Sequence, residues 1–170
     1  MRFGIGYDSH RFAPGTPLVL GGLHIPDEPG LEGHSDGDAI VHAVIDALLG
    51  AAALGSIGSR FPDTDPALAG IDSLELLSRT VHLIEDRGWR VVNVDLTVIA
   101  ERPRIAPYAE QMARRLADRL HVDGGSVSVK GKTNEGMGWL GRGEGLAVLA
   151  VAALDSSRST VPQRTGPSVG

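Results

Sequence analysis

The sequence contains no cysteine, which excludes disulfides, thiolate nucleophiles and cysteine-held metals together. Any metal must then be held by histidine, aspartate or glutamate. Aromatic residues are scarce, at 4% against 42% for all hydrophobic residues, so a core must be built mainly from aliphatic side chains. A basic excess is also missing. The formal net charge of −5 speaks against nucleic acid as a partner, since that role shows a basic face or stripe, yet a small anion can still be held by a few local cations or metals. No apolar stretch reaches the roughly 20 residues that span a bilayer; residues 39–54 come nearest and are interrupted by His42 and Asp46. The start, Met1 to Asp8, lacks the apolar segment and small-residue cleavage site of a signal peptide. The expectation is a soluble, cytoplasmic protein with no membrane partner.

What is present fits one domain of ordinary size, 170 residues with 22% charged. Residues 3–12 read as a strand, and 18–25 as a second one after a Pro14-Gly-Thr-Pro17 turn. The segment from Pro26 to Gly37 reads as a loop. Asp36 is the expected N-cap of a helix over 38–53, with Ile40, Val41, Val44, Ile45, Leu48 and Leu49 as a wide apolar face. A long irregular loop is expected over 54–71, of the kind that is usually functional or disordered. Asp72 and Glu75 suggest a capping box for a helix over 73–87 that Gly88 ends. A strand over 89–100, a helix over 106–120, and strands at 127–130 and 146–154 complete the pattern. This order suggests a single α+β domain over 1–154. The Ser-, Thr-, Pro- and Gly-rich residues 155–170 are expected to be a disordered tail.

Asp8-Ser9-His10 is the sharpest local feature. Strand side chains alternate faces, so Asp8 and His10 point the same way and can share one ion. A third ligand would complete a catalytic zinc set of three with one open position, and His42, near the start of the first helix, is the best candidate. Asp46, one turn further on, is the expected acceptor for the other ring N–H of His42. Read alone, the pair is more often a surface aspartate beside a half-buried histidine. Gly33-His-Ser-Asp-Gly-Asp38 precedes that helix, where free N–H groups favour anions, or it is simply a capping turn. Lys130-Gly-Lys-Thr-Asn-Glu135 is not a P-loop, which would need a glycine at position 126, where Ser126 stands. Its Lys132, Thr133 hydroxyl and Glu135 carboxylate can still hold a phosphate and a divalent ion. His24, His82 and His121 lack a comparable setting and are expected to be satisfied or solvated.

Five strings occur in order: Gly6-Tyr-Asp-Ser-His-Arg-Phe12, Gly33-His-Ser-Asp-Gly-Asp38 with His42, Phe61-Pro-Asp-Thr-Asp-Pro66, Lys132-Thr-Asn-Glu135, and Gly141-Arg-Gly-Glu-Gly145. Together they resemble the 2-C-methyl-D-erythritol 2,4-cyclodiphosphate synthase family over residues 1–154. The resemblance implies a mixed β-sheet packed by helices, in a homotrimer whose three subunits surround a central channel with active sites between subunits. It implies zinc on Asp8, His10 and His42, and a magnesium or manganese ion, ligated by Glu135, bridging the substrate diphosphate. His34 and Ser35 would hold substrate phosphate, with His34 and Thr133 assisting catalysis. Ser56, Ile57 and Gly58 with Phe61, Pro62, Asp63, Thr64 and Asp65 would contact the methylerythritol part. Ala100, Glu101, Arg102, Pro103, Arg104, Ile105 and Ala106 would form a cytidine pocket reached from the neighbouring subunit, with Lys132, Thr133 and Asn134 beside it. Trp139 and Arg142 would lie near the substrate or the trimer axis, where an isoprenoid diphosphate is a possible ligand.

The implied reaction is attack by the 2-phosphate of 4-diphosphocytidyl-2-C-methyl-D-erythritol 2-phosphate on its own β-phosphorus, with CMP leaving. Lys132 and Gly136 depart from the family pattern and shift the expected phosphate-binding cation along its loop; Trp139 stands in place of a smaller aromatic. Two alternatives would use the same residues: a zinc phosphohydrolase, and a trimeric isoprenoid-diphosphate-binding protein without turnover.

Overall fold

A computed structural model describes residues 1–157 apart from positions 34, 63 and 69. His34, Asp63 and the tail from residue 158 onward therefore lie outside the described residues. Five strands form one sheet in the order β2-β1-β5-β3-β4. They are β1 (Arg2–Leu20), β2 (Leu23–Leu31), β3 (Trp89–Ile99), β4 (Val127–Lys132) and β5 (Gly145–Ser156). The β3–β4 pair is parallel, and β1, β2, β5 and β3 are joined antiparallel. The helices are α1 (Ala39–Ala52), α2 (Ile57–Arg60), α3 (Ser73–Glu85), α4 (Ala109–Leu120) and α5 (Gly138–Gly141). Among the described residues no helix is long and apolar enough to cross a membrane.

The α1 helix is apolar round most of its circumference, and 11 of its 14 residues are buried, as a helix at the centre of a core should be. It lies on β1 and β5, with α3 alongside. Ile40, Ile45, Leu48, Leu77, Met112 and Leu116 are fully buried, each side chain contributing about 1.5–3 kcal/mol. Contact between α1 and β1 is made by backbone. A Cβ at Gly4 would stand 2.0 Å from the Ala47 carbonyl oxygen, and one at Gly6 would stand 1.9 Å from that of Ala43. Only glycine lets helix and strand approach so closely. The even-numbered residues of β1 thus meet α1 in turn, and Asp8 comes next in line after Gly6.

Among the described residues the long helices α1 and α3 lie on one face of the sheet, and the opposite face is apolar and open. Phe3, Ile5 and Tyr7 of β1 and Leu149 and Val151 of β5 stand out from it, all at least 42% exposed.

Several boundaries differ from expectation for identifiable reasons. Residues 3–12 and the following segment form one strand; Pro14–Pro17 is absorbed as a register irregularity against β2, where a bulge tolerates the missing N–H of Pro17. The chain reverses instead at Gly21 and Gly22, whose φ values of 59° and 69° suit a tight hairpin. The expected loop from Pro26 consequently begins as β2 and continues to Leu31. Asp38, not Asp36, caps α1: its carboxylate accepts from Val41 N at 3.2 Å, Gly21 N at 2.9 Å and Gly22 N at 2.6 Å. Burial pushes the Asp38 carboxyl up to about 6, although these three N–H donors favour the ionised form. The loop over 54–71 contains α2 and a 3₁₀ turn at Pro66–Leu68. The last helix before β4 starts at Ala109, because residues 105–108 form a turn closed by Tyr108 N donating to Ile105 O. Finally, β5 includes Asp155 and Ser156, two residues beyond the strand expected over 146–154.

Candidate metal centre and substrate clefts

Asp8 and His10 project from β1 toward α1, and His42 projects from the first turn of α1 to meet them. One ligand atom from each lies within 4.8 Å of the others. His10 Nε2 is 2.8 Å and His42 Nδ1 is 3.2 Å from the same Asp8 oxygen, Oδ2. The ring centroids are 5.5 Å apart. The other nitrogen of each ring is already engaged. His10 Nδ1–H donates to the Glu32 carbonyl, and His42 Nε2 is 3.0 Å from Ser73 Oγ and 3.2 Å from Ser35 Oγ. The nitrogens facing Asp8 are therefore Nε2 of His10 and Nδ1 of His42, and each can offer a lone pair to a cation once it carries no proton.

One carboxylate oxygen and two neutral imidazoles, each oriented by an outer hydrogen bond, fit a divalent metal with a position left for substrate. Burial alone would raise the Asp8 carboxyl, but hydrogen bonds and charge from His10 and His42 hold it well below the usual carboxylate range. The Asp8 hydrogen bond in turn pushes His10 up, outweighing burial. The three groups behave as a site in which a proton and a cation compete for one place.

Asp46 does not have its expected role. His42 lies near the α1 N-terminus and leans that way, as helical side chains do, so its ring reaches Ser73 and Ser35 rather than a residue one turn C-terminal. Asp46 Oδ1 instead accepts from Ile57 N at 2.7 Å and fixes the start of α2.

A cleft of about 370 Å³ opens beside the candidate metal ligands, bordered by Ser35, Ile57, Gly58, Phe61 and Pro62. Sequence reading missed its apolar floor of Leu68, Ile71 and Leu76, which carries no local signal. Ser56 sits outside as the N-cap of α2. Asp65 caps the 3₁₀ turn by accepting from Ala67 N at 2.9 Å, and Thr64 is exposed. Neither Thr64 nor Asp65 lines this cleft.

A second cleft of about 280 Å³ is lined by Ala100, Glu101, Pro103, Arg104, Ile105, Ala106, Lys132 and Thr133. It shares no lining residue with the first. Arg102 is exposed beside it. Gly131 is required there, since a Cβ would stand 2.9 Å from the Ile105 Cβ. Glu101 also holds the adjoining loop, accepting from Asn134 N at 3.0 Å and Gly136 N at 3.2 Å. Thr133 Oγ1 donates to Glu135 Oε1 at 3.0 Å, and the Asn134 side chain donates to Met137 O at 2.7 Å. Glu135 is not part of the Asp8 cluster. Trp139 is 37% exposed and Arg142 pairs with Glu144 at 2.6 Å; neither borders either cleft. His82 and His121 are satisfied, by the Ser78 carbonyl and by Glu85.

The YgbB family model matches residues 1–155. A 2-C-methyl-D-erythritol 2,4-cyclodiphosphate synthase from Symbiobacterium thermophilum is 56% identical over 154 residues, which cover 91% of this chain and 98% of that protein. A solved 2C-methyl-D-erythritol-2,4-cyclodiphosphate synthase with CDP bound superposes with a TM-score of 0.83 at 38% identity, covering 91% of this chain and 100% of that one. The bifunctional IspDF of Campylobacter jejuni superposes with a TM-score of 0.88 at 38% identity over 91% of this chain, which spans 42% of that larger one. With a fold, a ligand set and relatives of this identity in agreement, the chain belongs to the YgbB family.

Proposed function

We propose that this chain catalyses the reaction for which its relatives are named, closure of a 2,4-cyclodiphosphate from 4-diphosphocytidyl-2-C-methyl-D-erythritol 2-phosphate in isoprenoid biosynthesis. The observation that carries this reading is the Asp8–His10–His42 set, with two imidazole nitrogens facing one carboxylate oxygen, opening onto a cleft of substrate size. In the reaction a 2-phosphate oxygen forms a bond to the β-phosphorus while the bond from that phosphorus to the α-phosphate bridging oxygen breaks, and CMP carries the electron pair away. No water is consumed, so the activity is that of a phosphorus–oxygen lyase. The nucleophile is already ionised and needs no strong base; the difficulty lies in folding a flexible polyanion so that two like-charged groups meet.

The residues divide that task. Asp8, His10 and His42 would hold zinc, which when bound neutralises phosphate charge as a Lewis acid. Ser35, and His34 by the family resemblance, hold the phosphate beside the ligands. Ile57, Phe61, Pro62, Leu68 and Ile71 surround the methylerythritol carbon skeleton and exclude water. Ala100 to Ala106 accept the cytidine, with the Lys132 ammonium and Thr133 hydroxyl directed to the diphosphate. Glu135 would ligate the magnesium or manganese ion that bridges it.

Two separated clefts on one subunit support assembly as a homotrimer, in which the metal cleft of one copy is completed by the nucleotide cleft of the next. The bare apolar sheet face of Phe3, Ile5, Tyr7, Leu149 and Val151 is a suitable interface around the three-fold axis, where an isoprenoid diphosphate could be met by Trp139 and Arg142. A soluble diphosphate substrate suits a cytoplasmic enzyme. Phosphorus NMR of the purified protein with substrate, zinc and magnesium tests the proposal. CMP and a cyclic diphosphate are expected, and are expected to vanish with chelator; linear methylerythritol phosphates would point to a hydrolase, and unchanged substrate to a binding protein.

A further inference from the structure

We propose that Asp36 and Ser73 are positioning residues for the metal centre: the Asp36 carboxylate, acting through the Ser73 hydroxyl, holds His42 with its proton on Nε2 and its lone pair on Nδ1. The inference rests on the reading of Asp8, His10 and His42 as the metal ligands.

Ser73 opens α3, 31 residues beyond His42, and is fully buried. Both its backbone and its side chain are committed to Asp36. Its N–H donates to Asp36 Oδ2 at 3.0 Å, and its hydroxyl donates to Asp36 Oδ1. A hydroxyl has one hydrogen to give, and a carboxylate can only accept. With that hydrogen spent on Asp36, Ser73 Oγ can meet His42 Nε2, 3.0 Å away, only as an acceptor. The His42 proton is thereby assigned to Nε2, and Nδ1 faces Asp8 Oδ2 at 3.2 Å unprotonated.

Ser35 Oγ, 3.2 Å from His42 Nε2 and 3.4 Å from Ser73 Oγ, is the competing partner. It is less constrained: among the described residues its other contact is Gly37 N at 3.4 Å, and it borders the cleft beside the candidate ligands. Neither Ser73 nor Asp36 lines that cleft, so their route to the site runs through His42. The arrangement also joins α3 to α1 and to the 35–38 loop, so three segments meet on one imidazole.

Zinc affinity of the full chain, read by competition with a chromophoric chelator, tests this. Wild type is expected to bind zinc; if it does not, the ligand assignment falls and this inference with it. Ser73→Ala is expected to weaken zinc binding about 10–100-fold, as removal of a metal ligand's outer partner does. Ser73→Thr, which keeps the hydroxyl, should restore most of that loss. Asp36→Asn should weaken binding similarly, and the double variant should lose no more than either alone, because the residues act in series. Long-range proton–nitrogen NMR of the zinc-loaded protein should find the His42 proton on Nε2 in wild type and Ser73→Thr.

A merely structural role would lower the melting temperature of the metal-free protein and leave zinc affinity untouched. Unchanged affinity in folded Ser73→Ala or in Asp36→Asn would overturn the inference. So would a loss confined to Ser35→Ala, which would give the Nε2 proton to Ser35.

Discussion

At the residue scale, His10 and His42 offer different nitrogens to one place because each has its other nitrogen tied elsewhere, to the Glu32 carbonyl and to Ser73. The pH behaviour follows. The folded pKa of His10 is raised by Asp8, so the proton's stabilising contribution is fully present below the unfolded value of about 6.5 and is lost as pH rises through the folded value. The Asp8 pKa is depressed, so its contribution is present above about 3.9 and is lost as pH falls further. Without metal, the pair therefore stabilises most between those limits. A metal must displace the His10 proton, so the rise in melting temperature on adding zinc should be small at pH 5 and should grow through pH 8. Scanning calorimetry with and without zinc reads this directly, and a zinc shift independent of pH would contradict it. The cluster of candidate ligands was legible in the sequence, since strand alternation puts Asp8 and His10 on one face and the structure brings His42 to them. The outer partners were not. Asp46 had the right spacing along the helix, but His42 leans toward the N-terminus, and Ser73 is brought there only by tertiary packing.

At the element scale, the ligands meet because α1 lies directly on β1. Gly4 and Gly6 permit that, and the Asp38 carboxylate fixes the helix start while holding the Gly21–Gly22 turn. Gly6→Ala would place a methyl 1.9 Å from a backbone oxygen that has no room to move. It should cost about 3 kcal/mol, the upper end for overpacked positions, and should weaken zinc binding by displacing His42. Denaturant unfolding with zinc titration checks both, and a fully stable variant with wild-type zinc affinity would refute the close approach as the cause. The three long helices α1, α3 and α4 were readable from the sequence, and β3 from its β-branched run, whereas the one-turn helices α2 and α5 were not. The first hairpin was misplaced because Pro14–Pro17 has stronger local turn signals than Gly21-Gly22. Pairing with β2 absorbs the prolines as an irregularity, and only long-range register decides that.

At the scale of the whole molecule, one sheet face is sealed by helices while the other presents Phe3, Ile5, Tyr7, Leu149 and Val151. A contiguous apolar face of this kind marks an interface. Ile5→Lys, at a side chain 71% exposed in the single subunit, should leave the fold intact and abolish the proposed trimer, and activity should fall with it if the site is completed between subunits. Light scattering of the eluting protein reads the mass; a trimer that survives the charge would exclude this face. The alternation of β1 made that face legible only in part, since in a sequence read alone an exposed strand face resembles a buried one.

The measurement that bears most directly on the central claim is the reaction run in ¹⁸O-enriched water with zinc and magnesium, the products being weighed by mass spectrometry. Intramolecular cyclisation predicts CMP and a cyclic diphosphate carrying no solvent oxygen, whereas a linear product with one ¹⁸O on phosphorus would show that water is the nucleophile and would contradict the account.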